Sequence, residues 1–201
     1  MKIIILEGIA TSGKTSVKNK LIENLNKKGL SFSIIEEDET LLPILDNKDK
    51  QISVDLLREI IIKKLKEEKD FIIFDRLFFT HIFRTNSSIK DFEEIENLLK
   101  NNSLLIFLKI DELKIPERIN TARNHRDKEW NDYVDKKGTN KEIYQYYIKQ
   151  QRLLLNLLDE TSLKYKIFDT TQMDFENIAN EILKYNEVAN VACHVPTNIA
   201  P

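Results

Sequence analysis

The chain has 201 residues, 41% of them hydrophobic and 32% charged, which suits one domain with a substantial core and excludes a disordered polymer. Thirty-one Lys and Arg against thirty-three Asp and Glu leave a formal charge of -2, so no global field draws the protein to nucleic acid or to an anionic membrane. A single cysteine, Cys193, excludes an intramolecular disulfide and fits a reducing, cytoplasmic setting.

The apolar run Ile3–Leu6 is ended by Glu7, too short for a signal-peptide core or a membrane span, and the expected first strand is Lys2–Leu6. Gly8-Ile-Ala-Thr-Ser-Gly13-Lys14-Thr15 follows it and fits G-x-x-x-x-G-K-[ST] at a strand-to-helix junction. The chain has four glycines where ordinary usage predicts about fourteen, and Gly8 and Gly13 are two of them. Here they allow a tight loop that turns the amides around Ala10, Thr11 and Ser12 toward one anion, at a helix start that adds partial positive charge. Lys14 reaches the β- and γ-phosphates of a bound nucleotide, the Thr15 hydroxyl ligates Mg²⁺, and Ser16 addresses the α-phosphate.

A helix over Lys14–Lys28 ends at Gly29, and a second strand over Phe32–Ile35 leads into the acidic stretch Glu36-Glu37-Asp38-Glu39-Thr40. A helix over Ile52–Glu68, carrying Arg58, precedes a third strand, Phe71–Asp75. Its terminal carboxylate, Asp75, sits where an acid stands beside the metal at the carboxyl edge of a parallel sheet, making it the second metal residue with Thr15. The run Phe78-Phe79-Thr80-His81-Ile82-Phe83-Arg84 reads as the start of an acceptor pocket wall, with Phe79 stacking a flat ring, or as packing against the sheet; His81 reads as structural.

After a helix over Asp91–Lys100 and a strand over Leu104–Ile110, residues 111–138 are densely charged and read as a lid. Three of the chain's seven arginines, Arg118, Arg123 and Arg126, fall in it within nine residues. On a helix they span an arc of roughly 140° and so face one ligand; neutralising a transferring phosphoryl group needs such cations. The competing reading is a solvated helix whose arginines pair with Asp127, Glu129 and Asp132. A helix over Glu142–Leu158, a fifth strand over Tyr165–Phe168 and a helix over Phe175–Tyr185 complete the domain, residues 1–185. Residues 186–201 read as a loosely ordered tail, in which Cys193 and His194 lack the further ligands of a metal site. No N-K-x-D motif is present, which speaks against a guanine-specific switch.

These features resemble the P-loop nucleoside and nucleotide kinases, in particular the thymidylate kinase and deoxynucleoside kinase branches. The motifs are Glu7-Gly8, Gly13-Lys14-Thr15, Asp75-Arg76, Glu117-Arg118-Ile119 and Phe168-Asp169-Thr170-Thr171, and the likeness spans residues 1–185. It implies an α/β three-layer sandwich, the P-loop NTPase fold, with a five-stranded parallel sheet and a helical lid. It implies ATP and Mg²⁺ as cofactors and γ-phosphoryl transfer to a small-molecule acceptor, a nucleoside or nucleoside monophosphate. It further implies that Arg76 contacts the acceptor, that Thr170 and Thr171 hold adenine, that Arg58 is a substrate-side arginine, and that the protein is a homodimer. Thymidylate kinases carry Arg-Glu-Pro-Gly-Gly-Thr where this chain has Glu36–Thr40. Deoxynucleoside kinases place a glutamate there to receive the acceptor hydroxyl proton; Glu37 is the nearest match and Asp38 the next, which tilts the reading toward a hydroxyl acceptor. A kinase for another small hydroxyl compound and a non-catalytic nucleotide-binding module are the alternatives.

Overall fold

The computed structural model describes residues 1–45 and 49–191. Five strands, β1 (Lys2–Glu7), β2 (Phe32–Ile35), β3 (Phe71–Asp75), β4 (Ser103–Lys109) and β5 (Tyr165–Asp169), form one sheet in the order β2-β3-β1-β4-β5. All four pairings are parallel; Leu6 is aligned with Asp75 and with Ile106. The strand ends are within one residue of those expected.

Helices cover both faces, so the central strands are apolar on both sides and side chains alternate between two cores. Ile4, Leu6, Ile73 and Ile106 face α1 (Lys14–Lys27) and α9 (Phe175–Val191), meeting Val17, Leu21, Ile178 and Ile182. Ile3, Ile5, Ile72, Phe74 and Phe107 face the other way, toward α3 (Lys50–Leu65), α4 (Phe79–Thr85), α5 (Glu93–Leu99) and α8 (Asn140–Leu157). The connection leaving β1 crosses to β2 on one side and that leaving β3 crosses to β4 on the other, so the crevice between the carboxyl ends of β1 and β3 is the topological switch point. The phosphate loop and Asp75 flank it.

The acidic stretch is not a loop but the start of a further helix, α2 (Glu37–Leu45), with Glu37, Asp38 and Glu39 in its first turn, where the helix dipole favours carboxylates. The segment expected to form a lid holds two short helices, α6 (Ile115–Arg123) and α7 (Lys128–Asp135). Asp49 caps α3, and a Thr139–Glu142 capping box opens α8. Gln151 ties α8 to the end of β4: its Oε1 accepts from the Ile110 amide at 2.9 Å and its Nε2 donates to the Ile110 carbonyl at 2.8 Å. Helix α9 runs to Val191, past the expected end at Tyr185. Residues 192–201, with Cys193 and His194, lie outside the described residues. Among the described residues no helix is long and apolar enough to cross a membrane.

Candidate active site

The loop between β1 and α1 is shaped by conformations that few residues tolerate. Gly8 has φ 143°, and a Cβ there would lie 2.6 Å from the Leu108 carbonyl oxygen. Thr11 takes φ 67°, a left-handed conformation uncommon for a residue with a side chain. Ala10, Thr11, Gly13, Lys14, Thr15 and Ser16 line a cleft of about 570 Å³. Ser12 is fully buried behind them, with Gly8 on the same hidden side of the loop. The amides of Lys14, Thr15 and Ser16 open α1, where backbone N–H groups lack intrahelical partners and suit an anion.

Lys14 curls over the loop and donates to the carbonyl oxygens of Gly8 and Ile9, each at 3.0 Å. Burial, and then the Arg76 guanidinium, pull its ammonium down to about 7, against the opposing pull of Glu37, Asp75 and Glu7. A neighbouring phosphate would favour the charged form again.

Asp75 is 7% exposed, and its two oxygens differ. Oδ2 accepts from Lys18 Nζ at 2.8 Å, and the same ammonium donates to Glu36 Oε2 at 2.5 Å. Oδ1 is buried without a hydrogen-bond partner. A hydroxyl on Thr15 and a bare carboxylate oxygen on Asp75, both at the cleft, are the hard donors that Mg²⁺ takes alongside water and phosphate. No group of three or more His, Cys, Asp or Glu side chains suited to a metal occurs among the described residues.

Beside Asp75 runs a second charged chain. Glu7, fully buried, accepts from the amides of Leu77 at 3.0 Å and Phe79 at 3.2 Å, and from the Thr80 hydroxyl at 3.4 Å. Burial raises its pKa against the pull of Arg76. Thr80 accepts in turn from Arg76 Nη1 at 2.5 Å, and Arg76 Nε lies 3.0 Å from Glu37 Oε2. Arg84 reaches the other Glu37 oxygen at 3.9 Å and lies over the Tyr133 ring. Arg76 has φ 71°. Of the four non-glycine residues with positive φ among those described, Thr11, Arg76 and Met173 line the cleft, so backbone strain gathers at the site.

The three arginines of residues 111–138 are separated. Arg118 lines the cleft, donates to the Thr170 carbonyl at 2.9 Å and lies 6.0 Å from the Phe175 ring centroid. Arg126 lines it too, 5.0 Å over the Trp130 ring. Arg123 does not: its guanidinium is paired with Asp135 on α7.

Other expected residues are also elsewhere. Phe79 is fully buried and packs edge-on against Phe78, because helix α4 turns its first apolar face into the core; it cannot stack a ligand. The aromatic wall comes instead from Trp130, Tyr133, Tyr146 and Tyr147 on α7 and α8, with Gln150 beside them. Arg58 pairs with Glu94 at 3.3 Å on the outer surface of α3 and α5. Asp38 points away from the cleft and accepts from the Glu39 amide. Thr170 is buried, its hydroxyl on the Lys109 carbonyl, and Thr171 accepts from the Asp111 amide; Met173 and Phe175 take the place at the cleft expected for them. Lys18, Glu36, Arg84 and the α7–α8 aromatics were not anticipated. Lys18 could have been found from its i+4 spacing to Lys14, which puts both lysines on one helix face.

No family model and no curated protein matches the chain. Among solved structures it is similar to the YorR protein of Bacillus subtilis in complex with phosphorylated GDP, at TM-score 0.67 and 20% identity over 94% of this chain and 98% of that one. It is similar also to shikimate kinase from Acinetobacter baumannii in complex with shikimate, at TM-score 0.54 and 16% identity over 94% of each chain. At these identities the likeness speaks for architecture alone, a five-stranded parallel sheet flanked by helices on both faces.

Proposed function

We propose that this protein is a Mg²⁺-ATP-dependent kinase that transfers the γ-phosphoryl group to a small acceptor, a nucleoside or nucleoside monophosphate. The observation that carries the reading is one cleft lined both by the phosphate loop and by Glu37, Arg76 and Arg84. Lys14 and the loop amides hold the nucleotide phosphates. Arg118 and Phe175 flank the base end. Thr15 and Asp75 would hold Mg²⁺, which neutralises phosphate charge during transfer. Arg118 and Arg126 line the same cleft, from which lid closure would exclude water. Glu37, paired with Arg76 and Arg84, would receive the proton of an acceptor hydroxyl.

A second reading, a kinase for another small hydroxyl compound, is favoured by the acceptor wall. That wall is built from Trp130, Tyr133, Tyr146 and Tyr147 and not from the segment after β3 that carries the resemblance. The deciding experiment is an ADP-release assay over nucleosides, nucleoside monophosphates and small alcohols, with wild type and Lys14→Ala. Acceptor-dependent turnover lost in Lys14→Ala supports a kinase and names the acceptor class. Slow hydrolysis unchanged by every acceptor leaves only a nucleotide-binding module.

A further inference from the structure

The buried lysine that the phosphate-transfer reading leaves without a role is Lys18. It lies four residues beyond Lys14, one helical turn further along the same face of α1, and its side chain is 8% exposed. Burying an ammonium is costly unless it is paired and hydrogen-bonded, and this one has two carboxylates, Asp75 Oδ2 at 2.8 Å and Glu36 Oε2 at 2.5 Å. Lys18 therefore joins the carboxyl ends of β2 and β3. Without it, Asp75 and Glu36 would face each other as like charges at the carboxyl edge of the sheet.

Asp75 is thus held by one oxygen only, while Oδ1 is buried and has no protein partner. Glu7, Glu36, Glu37 and Asp75 are set against Lys14, Lys18, Arg76 and Arg84. Four carboxylates face four cations. Removing Lys18 leaves one negative charge without a counter-ion and frees a second carboxylate oxygen.

We propose that Lys18 is a positioning residue that shares Asp75 with the divalent cation of the phosphate site: the ammonium fixes Oδ2, and Oδ1 is the oxygen left for the cation. The inference rests on the kinase reading for the existence of that cation. Lys18 then does two things with one contact. It sets the rotamer of Asp75, and its charge opposes the pull of that carboxylate on a divalent ion before nucleotide arrives. Lys18 itself does not line the cleft, so it acts through Asp75 and not on a ligand.

The test is Mn²⁺ binding to the full-length protein, followed by electron paramagnetic resonance with and without ADP, in wild type, Lys18→Met, Lys18→Gln and Lys18→Arg. Loss of one neighbouring positive charge should tighten Mn²⁺ binding to the nucleotide-free protein by about tenfold. Lys18→Gln, which keeps a donor and removes the charge, should show the same gain if Lys18→Met does not fold. Lys18→Arg, which keeps the cation, should stay within about twofold of wild type. A purely structural role predicts lower melting temperatures with unchanged Mn²⁺ affinity, and that result overturns the inference. If wild type and Lys14→Ala alike show no Mn²⁺ bound with ADP, the kinase reading fails, and the role of Lys18 fails with it.

Discussion

Gly13 and Phe175, far apart in the chain, lie against each other: a Cβ built on Gly13 would lie 2.4 Å from the Phe175 ring. The first residue of α9 therefore closes over the phosphate loop, and Arg118 lies over the other reach of the same ring. Gly13→Ala meets both this clash and a φ of 89°, which costs a residue with a Cβ about 1–2 kcal/mol on its own. Its nucleotide Kd should rise by more than about a hundredfold. Phe175→Ala removes stacking and should weaken binding by about tenfold. The double variant relieves the clash but not the backbone strain, so calorimetry should find it no better than halfway, in free energy, between Gly13→Ala and wild type.

The lid arginines should separate in kinetics as they do in space. Arg118→Met and Arg126→Met remove cations that line the cleft and should each lower kcat by about a hundredfold or more. Arg123→Met breaks a pair with Asp135 inside the lid, which is worth no more than about 1 kcal/mol. Its kcat should stay within about threefold of wild type. A large kcat loss in Arg123→Met would mean that the lid rearranges so that this arginine reaches the ligand.

Residues whose position is fixed by local chain geometry could be read in advance. Gly8, Gly13, Lys14 and Thr15 form one turn of chain, and Asp75 is the last residue of a buried strand, so motif and strand pattern together place them. Arg123 failed because a helical arc says which residues share a side, not which carboxylate on the next helix, here Asp135, takes one of them away. Phe79 failed because an aromatic run after a strand looks the same whether it faces the core or a ligand. Thr170 and Thr171 were a few residues short of Met173 and Phe175, since the left-handed turn at Met173 that brings the chain back to the cleft has no glycine to announce it. The acceptor wall needs Trp130 and Tyr147 brought together from two helices, and no single window of sequence contains that packing.

Glu7 should matter more to folding than a strand-end residue usually does. Its carboxylate accepts from two buried amides and a hydroxyl. Glu7→Ala leaves the Leu77 and Phe79 amides unpaired and should cost about 2–4 kcal/mol in urea unfolding. Glu7→Gln keeps an acceptor oxygen for both amides and should cost about 1 kcal/mol or less. Equal losses in the two variants would show that the charge facing Arg76, and not the amide pairing, is what the site requires.

His81 gives the protein a measurable acid sensitivity. The imidazole is fully buried, and that burial, with Arg84 and Arg76 nearby, pulls its pKa down to about 3 from an ordinary 6.5. In this window the unfolded chain binds the proton and the folded chain does not, so the His81 contribution to stability rises with pH from about 3 to 6.5 and is lost on acidification through the same range. The slope is at most about 1.4 kcal/mol per pH unit. Glu7 acts in the opposite sense, because its raised pKa makes the folded state the better proton binder above the ordinary carboxylate range. Comparing wild type with His81→Gln cancels that term and isolates the imidazole. Unfolding free energies measured from pH 4 to pH 7 should show the variant gaining on wild type as pH falls below about 6.5. A difference constant across that range would mean that His81 titrates alike in the folded and unfolded protein, and that its cavity admits the charge.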